Sequence, residues 1–138
     1  MAQQLNILQV DNSIATNLYR KIMLLTVAAI KQIEVANTIL AAKEKMKHQQ
    51  FDFIILDSFM PDGSSICFLS WIKRNYPLLV VILFTNDSDS CFKKNAEQSG
   101  ADYFLDKSTG FEMLIQIIKK HKPRNKNYSY AKVKHIIH

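Results

Sequence analysis

Residues 53–63 read FIILDSFMPDG. Four apolar residues, Phe53 to Leu56, run straight into a carboxylate, Asp57, and a turn-forming Pro61-Asp62-Gly63 closes the segment. A short unbroken apolar run of this kind fits a strand covered on both faces, as in a parallel sheet. The acid then stands where a buried strand leaves its sheet. A second such run, Leu78 to Phe84, follows the helix breaker Pro77 and ends at Thr85.

Working outward from these two runs, strands and helices alternate. Leu5 to Val10 is apolar-rich and leads into Asp11-Asn12; Ile30 to Ala36 reads as a second strand and Phe51 to Leu56 as the third. Ala101 to Leu105 makes the fifth strand, with Lys107 just beyond it. Between strands one and two, Ile14, Leu18, Ile22 and Leu25 recur at steps of four, four and three, one face of a helix. The second helix is expected to open at Asn37 as N-cap and to run through AAKEKMK. Ile66, Leu69 and Ile72 mark the third, which Pro77 stops, and the fourth spans about residues 88–98 before Gly100, a good C′ residue. Thr109-x-x-Glu112 matches a capping box for the fifth, whose buried face is Phe111, Leu114, Ile115 and Ile118.

Five strands alternating with five helices predict an α/β fold: a parallel sheet with right-handed crossovers and helices on both sides. Ligands of such sheets bind beyond the carboxyl ends of the strands, at the topological switch point. The polar residues expected to converge there are Asp11, Asn12, Asp57, Thr85 and Lys107.

Composition narrows the classes. The chain has 138 residues, one domain's worth, with 48% hydrophobic and 22% charged residues. Its longest apolar run, Leu78 to Phe84, cannot span a bilayer. The start, MAQQLNILQV, lacks the pattern of a secretory signal, and Cys67 and Cys91 show no CxxC spacing, so reduced thiols and a cytoplasmic location are expected. The net charge of +6 is concentrated at the end: Lys122, Arg124, Lys126, Lys132 and Lys134 face no acid. That leaves 13 bases against all 12 acids in residues 1–120, a net of +1. The expected organisation is one domain over residues 1–120 and a basic tail or linker start over residues 121–138. The tail, where lysines alternate with Tyr128 and Tyr130, is the one part suited to touch nucleic acid or an anionic membrane; its plainer reading is an unstructured extension.

With these residues in place, the chain resembles the response-regulator receiver domains of bacterial two-component signalling. The resemblance covers residues 5–120 and rests on Asp11 after strand one, Asp57 in LDSFMPDG, Thr85 in ILFT, and Lys107 in GADYFLDK. It implies a flavodoxin-like, doubly wound sheet of order 2-1-3-4-5. It also implies a signalling role rather than an enzyme's: Asp57 accepts a phosphoryl group from a sensor histidine kinase, a phosphotransfer protein or a small donor. Mg2+ would be held by Asp11 and Asp57, with Asn12 and the backbone carbonyl of Phe59. Lys107 and Thr85 would meet the phosphoryl oxygens, Phe104 would be the aromatic switch, and a downstream protein would read the face of strand five with its flanking helices.

Three departures stand out. Asn12 replaces the second acid usual after strand one, which removes a negative charge from the metal cluster. Ser108 follows Lys107 where proline in a cis peptide is usual; without proline that bond costs about 2.5–4 kcal/mol, so trans is expected. Phe59, two residues after Asp57, replaces a polar residue and is expected to hinder water and slow dephosphorylation. The competing readings are a receiver fold that signals by contact without phosphorylation, which Asn12 allows, a flavin carrier, and a haloacid-dehalogenase-type phosphohydrolase. Asp11 would repel a flavin phosphate, and the phosphohydrolase needs an acid where Phe59 stands.

Overall fold

The computed structural model describes residues 4–87 and 89–121. The expected tail therefore lies outside the described residues, apart from His121. Five strands make one parallel sheet: β1 (Leu5–Val10), β2 (Ile30–Ala36), β3 (Phe53–Leu56), β6 (Val80–Thr85) and β7 (Tyr103–Asp106). Their order is β2-β1-β3-β6-β7, which is 2-1-3-4-5 when only this sheet's strands are counted. Two further strands, β4 (Phe59–Met60) and β5 (Gly63–Ser64), form a small antiparallel hairpin around the Pro61-Asp62 turn. The sequence reading had this segment as a turn alone.

The five helices are α1 (Ile14–Leu24), α2 (Ile39–His48), α3 (Ser65–Asn75), α4 (Ser90–Gln98) and α5 (Phe111–Lys120). Every residue of β3 and β6 is buried, as the unbroken apolar runs require of central strands. Alternate residues build two cores. Leu8, Val10, Ile54, Leu56, Val81 and Leu83 pack with Ala42, Met46, Phe68, Leu69, Ile72 and Ala96 of α2, α3 and α4. Ile7, Phe53, Ile55, Ile82 and Phe84 pack on the other face with Leu24 of α1 and with Leu114 and Ile118 of α5.

Three local expectations are corrected. The α2 N-cap is Thr38, whose hydroxyl accepts from the Ala41 N–H at 3.0 Å, because the Asn37 side chain is engaged elsewhere, accepting from Asn17 Nδ2 at 3.0 Å. Asp62 adds a distant cap to the same helix, accepting from the Ile39 and Leu40 N–H groups at 2.9 and 3.0 Å. The Thr109 capping box is not made. Gly110 is the N-cap of α5 without a side-chain bond, at a place where a Cβ would lie 2.5 Å from the Asp106 carbonyl oxygen. Gly100 follows α4 at φ 107°, as a C′ glycine should.

The third correction concerns α1. An apolar stripe normally marks a helix's core side. Here Ile14, Leu18 and Ile22 are 69%, 57% and 59% exposed, while Asn17 and Arg20 are buried. Beneath the helix lies a polar layer. Gln9 of β1, fully buried, donates to the Asn17 carbonyl and side-chain oxygens at 2.8 and 3.1 Å; Asn17 Nδ2 donates to the Asp11 carbonyl at 2.6 Å. With polar groups on the sheet below, the helix turns its own polar side inward to satisfy them.

Candidate functional site

Four of the five expected strand-end residues, Asp11, Asp57, Thr85 and Lys107, converge. Val10 of β1 and Leu56 of β3 are in register, so Asp11 and Asp57 leave the sheet side by side at the switch point between these strands. The backbone confirms the placement: Asp57 N–H donates to the Val10 carbonyl at 3.0 Å, and Lys107 N–H donates to the Thr85 carbonyl at 2.9 Å. Lys107 joins the two acids, with Nζ 2.6 Å from Asp11 Oδ2 and 3.1 Å from Asp57 Oδ2. The remaining carboxylate oxygens are oriented by backbone donors, Asp11 Oδ1 by Ser13 N–H at 2.9 Å and Asp57 Oδ1 by Ser58 N–H at 2.8 Å. The Ser65 hydroxyl donates to the Asp57 carbonyl at 2.6 Å, tying the start of α3 to the site.

Thr85 is buried at the end of β6. Its hydroxyl is hydrogen-bonded to that of Ser58 and accepts from Asp87 N–H at 3.0 Å. Thr85 is thus held beside Asp57 through its neighbour, a contact by Ser58 that the sequence reading missed. Asn12 is exposed on the rim. The Phe59 ring is 72% exposed, standing in solvent on the β4–β5 hairpin. Phe104 is half-buried in β7 and meets Phe92 of α4 edge-on at 5.9 Å between centroids. Among the described residues there is no cis peptide, and Lys107–Ser108 is trans as expected.

The second missed residue is Arg20. Its guanidinium is 5% exposed, 3.5 Å from Asp11 Oδ2, and stacks 4.7 Å over the Phe84 ring. Burial pulls its pKa below the ordinary arginine value, opposed first by Asp11 and then by Asp57. No periodicity signals it, because a basic residue inside an apolar-striped helix normally faces water.

Hard oxygen donors suit Mg2+ or Mn2+. The fit can be judged on Asp11 Oδ2, which is buried and receives no directional hydrogen bond even though Lys107 and Arg20 are near. Such an oxygen, next to Asp57, is a natural cation ligand. The donor set is lean: among the described residues no group of three or more His, Cys, Asp or Glu side chains surrounds a common point.

Comparison with known proteins bears on the family and the fold. A family model described as the response regulator receiver domain matches residues 7–119. The DNA-binding transcriptional regulator NtrC of Proteus hauseri is 33% identical over 90 residues, which is 65% of this chain and 18% of that protein; the chain therefore matches under a fifth of that relative's length. The beryllofluoride-activated NtrC4 receiver domain dimer is similar at a TM-score of 0.72 and 29% identity, over 83% of this chain and 96% of that one. The Mn2+-bound form of the response regulator Rcp1 is similar at a TM-score of 0.67 and 21% identity, over 83% of this chain and 89% of that one. None of the helices described is long and apolar enough to cross a membrane. Receiver domains are the signalling domains of two-component response regulators, and by its match over residues 7–119 this chain belongs to the response regulator receiver domain family.

Proposed function

We propose that the chain is a phosphoacceptor receiver, phosphorylated on Asp57 and passing its state to a partner protein. The observation that carries this reading is Lys107 bridging Asp11 and Asp57, 2.6 and 3.1 Å from their carboxylates, at the end of the sheet. A partly buried carboxylate beside a fixed ammonium is equipped for nucleophilic attack on a phosphorus atom. An oxygen of Asp57 forms the new O–P bond as the bond from phosphorus to the donor breaks. The donor, a phosphohistidine of a sensor kinase or phosphotransfer protein or a small acyl phosphate, leaves with that bond's electrons. Lys107 meets the charge of the transferring group, and Thr85 supplies a hydroxyl once it exchanges its bond to Ser58. Asp11, Asp57, Asn12 and the Phe59 carbonyl would hold Mg2+, which supplies further charge neutralisation when bound. Phe104, packed on Phe92, is the residue we assign to report the change to a downstream partner at β7. We assign residues 1–120 to the domain and residues 121–138 to a basic tail or linker start.

Mass spectrometry after incubation with acetyl phosphate and Mg2+ tests the reading. The wild type gains one phosphoryl group, Asp57→Asn gains none because an amide cannot form the acyl phosphate, and Lys107→Ala gains it more slowly. No labelling at saturating Mg2+, by small donors or by a cognate kinase, overturns it. The second reading, a module that signals by contact alone, is favoured by one observation. The formal charges of Asp11, Asp57, Lys107 and Arg20 already cancel without an ion.

A further inference from the structure

Arg20 is the group in the site that the phosphoacceptor reading leaves unused. It is 4% exposed, its guanidinium lies against Asp11 Oδ2 at 3.5 Å, and the buried Phe84 ring at 4.7 Å closes its other side. To bring it there, α1 leaves Ile14, Leu18 and Ile22 in water, against the ordinary preference of an amphipathic helix. A guanidinium is always protonated, so Asp11 carries a permanent second cation besides Lys107.

The charge arithmetic gives this arrangement a consequence. At rest, two carboxylates face two protein cations, and a divalent ion would leave the cluster at +2. With about −2 on a phosphoryl group carried by Asp57 as an acyl phosphate, the cluster stands near −1 without the ion and near +1 with it. If position 20 were neutral, the same sums would be −2 and 0, and the ion would be needed for balance.

We propose that Arg20 is a built-in counterion of this site. It shares Asp11 with the divalent ion, holds that ion's affinity low, and takes over part of the phosphoryl charge the ion would otherwise meet. Its effect on the phosphoryl group rests on the phosphoacceptor reading; its effect on the ion does not. Asn12 works in the same direction, since an amide stands where a carboxylate would add a negative charge. Arg20 acts through Asp11, as a positioning residue and a competitor for it.

The test is the binding of Mn2+, followed by the electron paramagnetic resonance signal of the free ion with no phosphodonor present. Arg20→Gln keeps length and polarity, removes the charge, and should tighten Mn2+ binding about tenfold or more. Arg20→Lys keeps the charge and should stay near wild type. Asn12→Asp, at an exposed position that leaves packing untouched, changes the sum by the same single charge and should tighten binding comparably. It keeps the proposal testable if Arg20→Gln does not fold: unchanged affinity in Asn12→Asp would show that charge does not set the affinity. Unchanged or weaker binding in Arg20→Gln overturns the proposal, and so does tightening in Arg20→Lys equal to that in Arg20→Gln, because packing rather than charge would then be the cause. Since no phosphodonor is present, this result and the phosphorylation of Asp57 can fail separately.

Discussion

Helices α1 and α3 sit on opposite faces of the same sheet and obey opposite rules. Of the α3 stripe predicted from Ile66, Leu69 and Ile72, the last two are fully buried, Ile66 is partly buried, and Phe68 joins them in the core. In α1 the equally regular stripe of Ile14, Leu18 and Ile22 points to water, and the core side is Asn17, Arg20 and, at the end, Leu24. The difference lies in what each helix covers. α3 packs with Leu56, Val81 and Leu83, which want apolar cover; α1 covers the Gln9 side-chain amide, which donates to Asn17, and the Asp11 carbonyl, which accepts from it. Periodicity detects that a segment is helical and amphipathic, but the surface underneath decides which side turns in.

The largest effect expected from this contrast is in α3. Leu69→Ala removes a fully buried side chain from a closed core and should cost about 2–5 kcal/mol in denaturant unfolding. A loss under about 1 kcal/mol would mean that α3 is not the anchored helix of the pair.

That division also explains how much could be read in advance. The buried runs at β3 and β6 and the carboxylates at strand ends are one-dimensional signals, so the parallel sheet and the meeting of Asp11, Asp57, Thr85 and Lys107 were legible, while the strand order came from the family resemblance. Arg20 was not. Its role depends on the rotation of α1, which depends on Gln9 in a neighbouring strand, and that is a tertiary fact. Ser58 was invisible for a similar reason: its hydroxyl meets Thr85, 27 residues away. The cap of α2 moved from Asn37 to Thr38 because Asn37 bonds across to Asn17. In each case a local rule lost to a contact from another element.

A smaller effect follows from the polar layer. Asn17→Leu supplies the apolar side chain a conventional helix would place there, but strips Gln9 Nε2 of one acceptor and the Asp11 carbonyl of its donor. Buried groups left unpaired cost about 1–3 kcal/mol, so this increase in hydrophobicity should destabilise by that order. The double variant Gln9→Leu with Asn17→Leu removes both ends of one bond and should recover part of the loss. A stabilised single variant would show the polar layer to be dispensable and the comparison with α3 to be superficial.

On the outer side of α1 the expectation is near zero. Leu18→Lys places a charge at a position 57% exposed and should change unfolding stability by no more than about 0.5 kcal/mol. A loss of several kcal/mol would mean that the stripe packs against something after all.

A last contrast concerns how helices start. α1 is capped by its neighbour Ser13, which accepts from Thr16 N–H at 3.2 Å, whereas α2 adds Asp62 from 23 residues beyond Ile39. The Ile39 and Leu40 N–H groups, in that order, hold the Asp62 carboxyl below its ordinary pKa, since both bonds favour the charged form at a helix N-terminus. A carboxylate whose pKa is depressed by folding contributes stability above its unfolded pKa and loses it as pH falls through the folded one. The contribution of Asp62 is therefore complete at neutral pH and disappears only in the acid range below about 4. An NMR titration of the Asp62 carboxyl carbon should give a midpoint below that of an unfolded aspartate, and Asp62→Asn should flatten the fall in stability across that range without altering α1. If the midpoint were ordinary, the hydrogen bonds to Ile39 and Leu40 would not persist in solution, and α2 would start from Thr38 alone, as locally capped as α1.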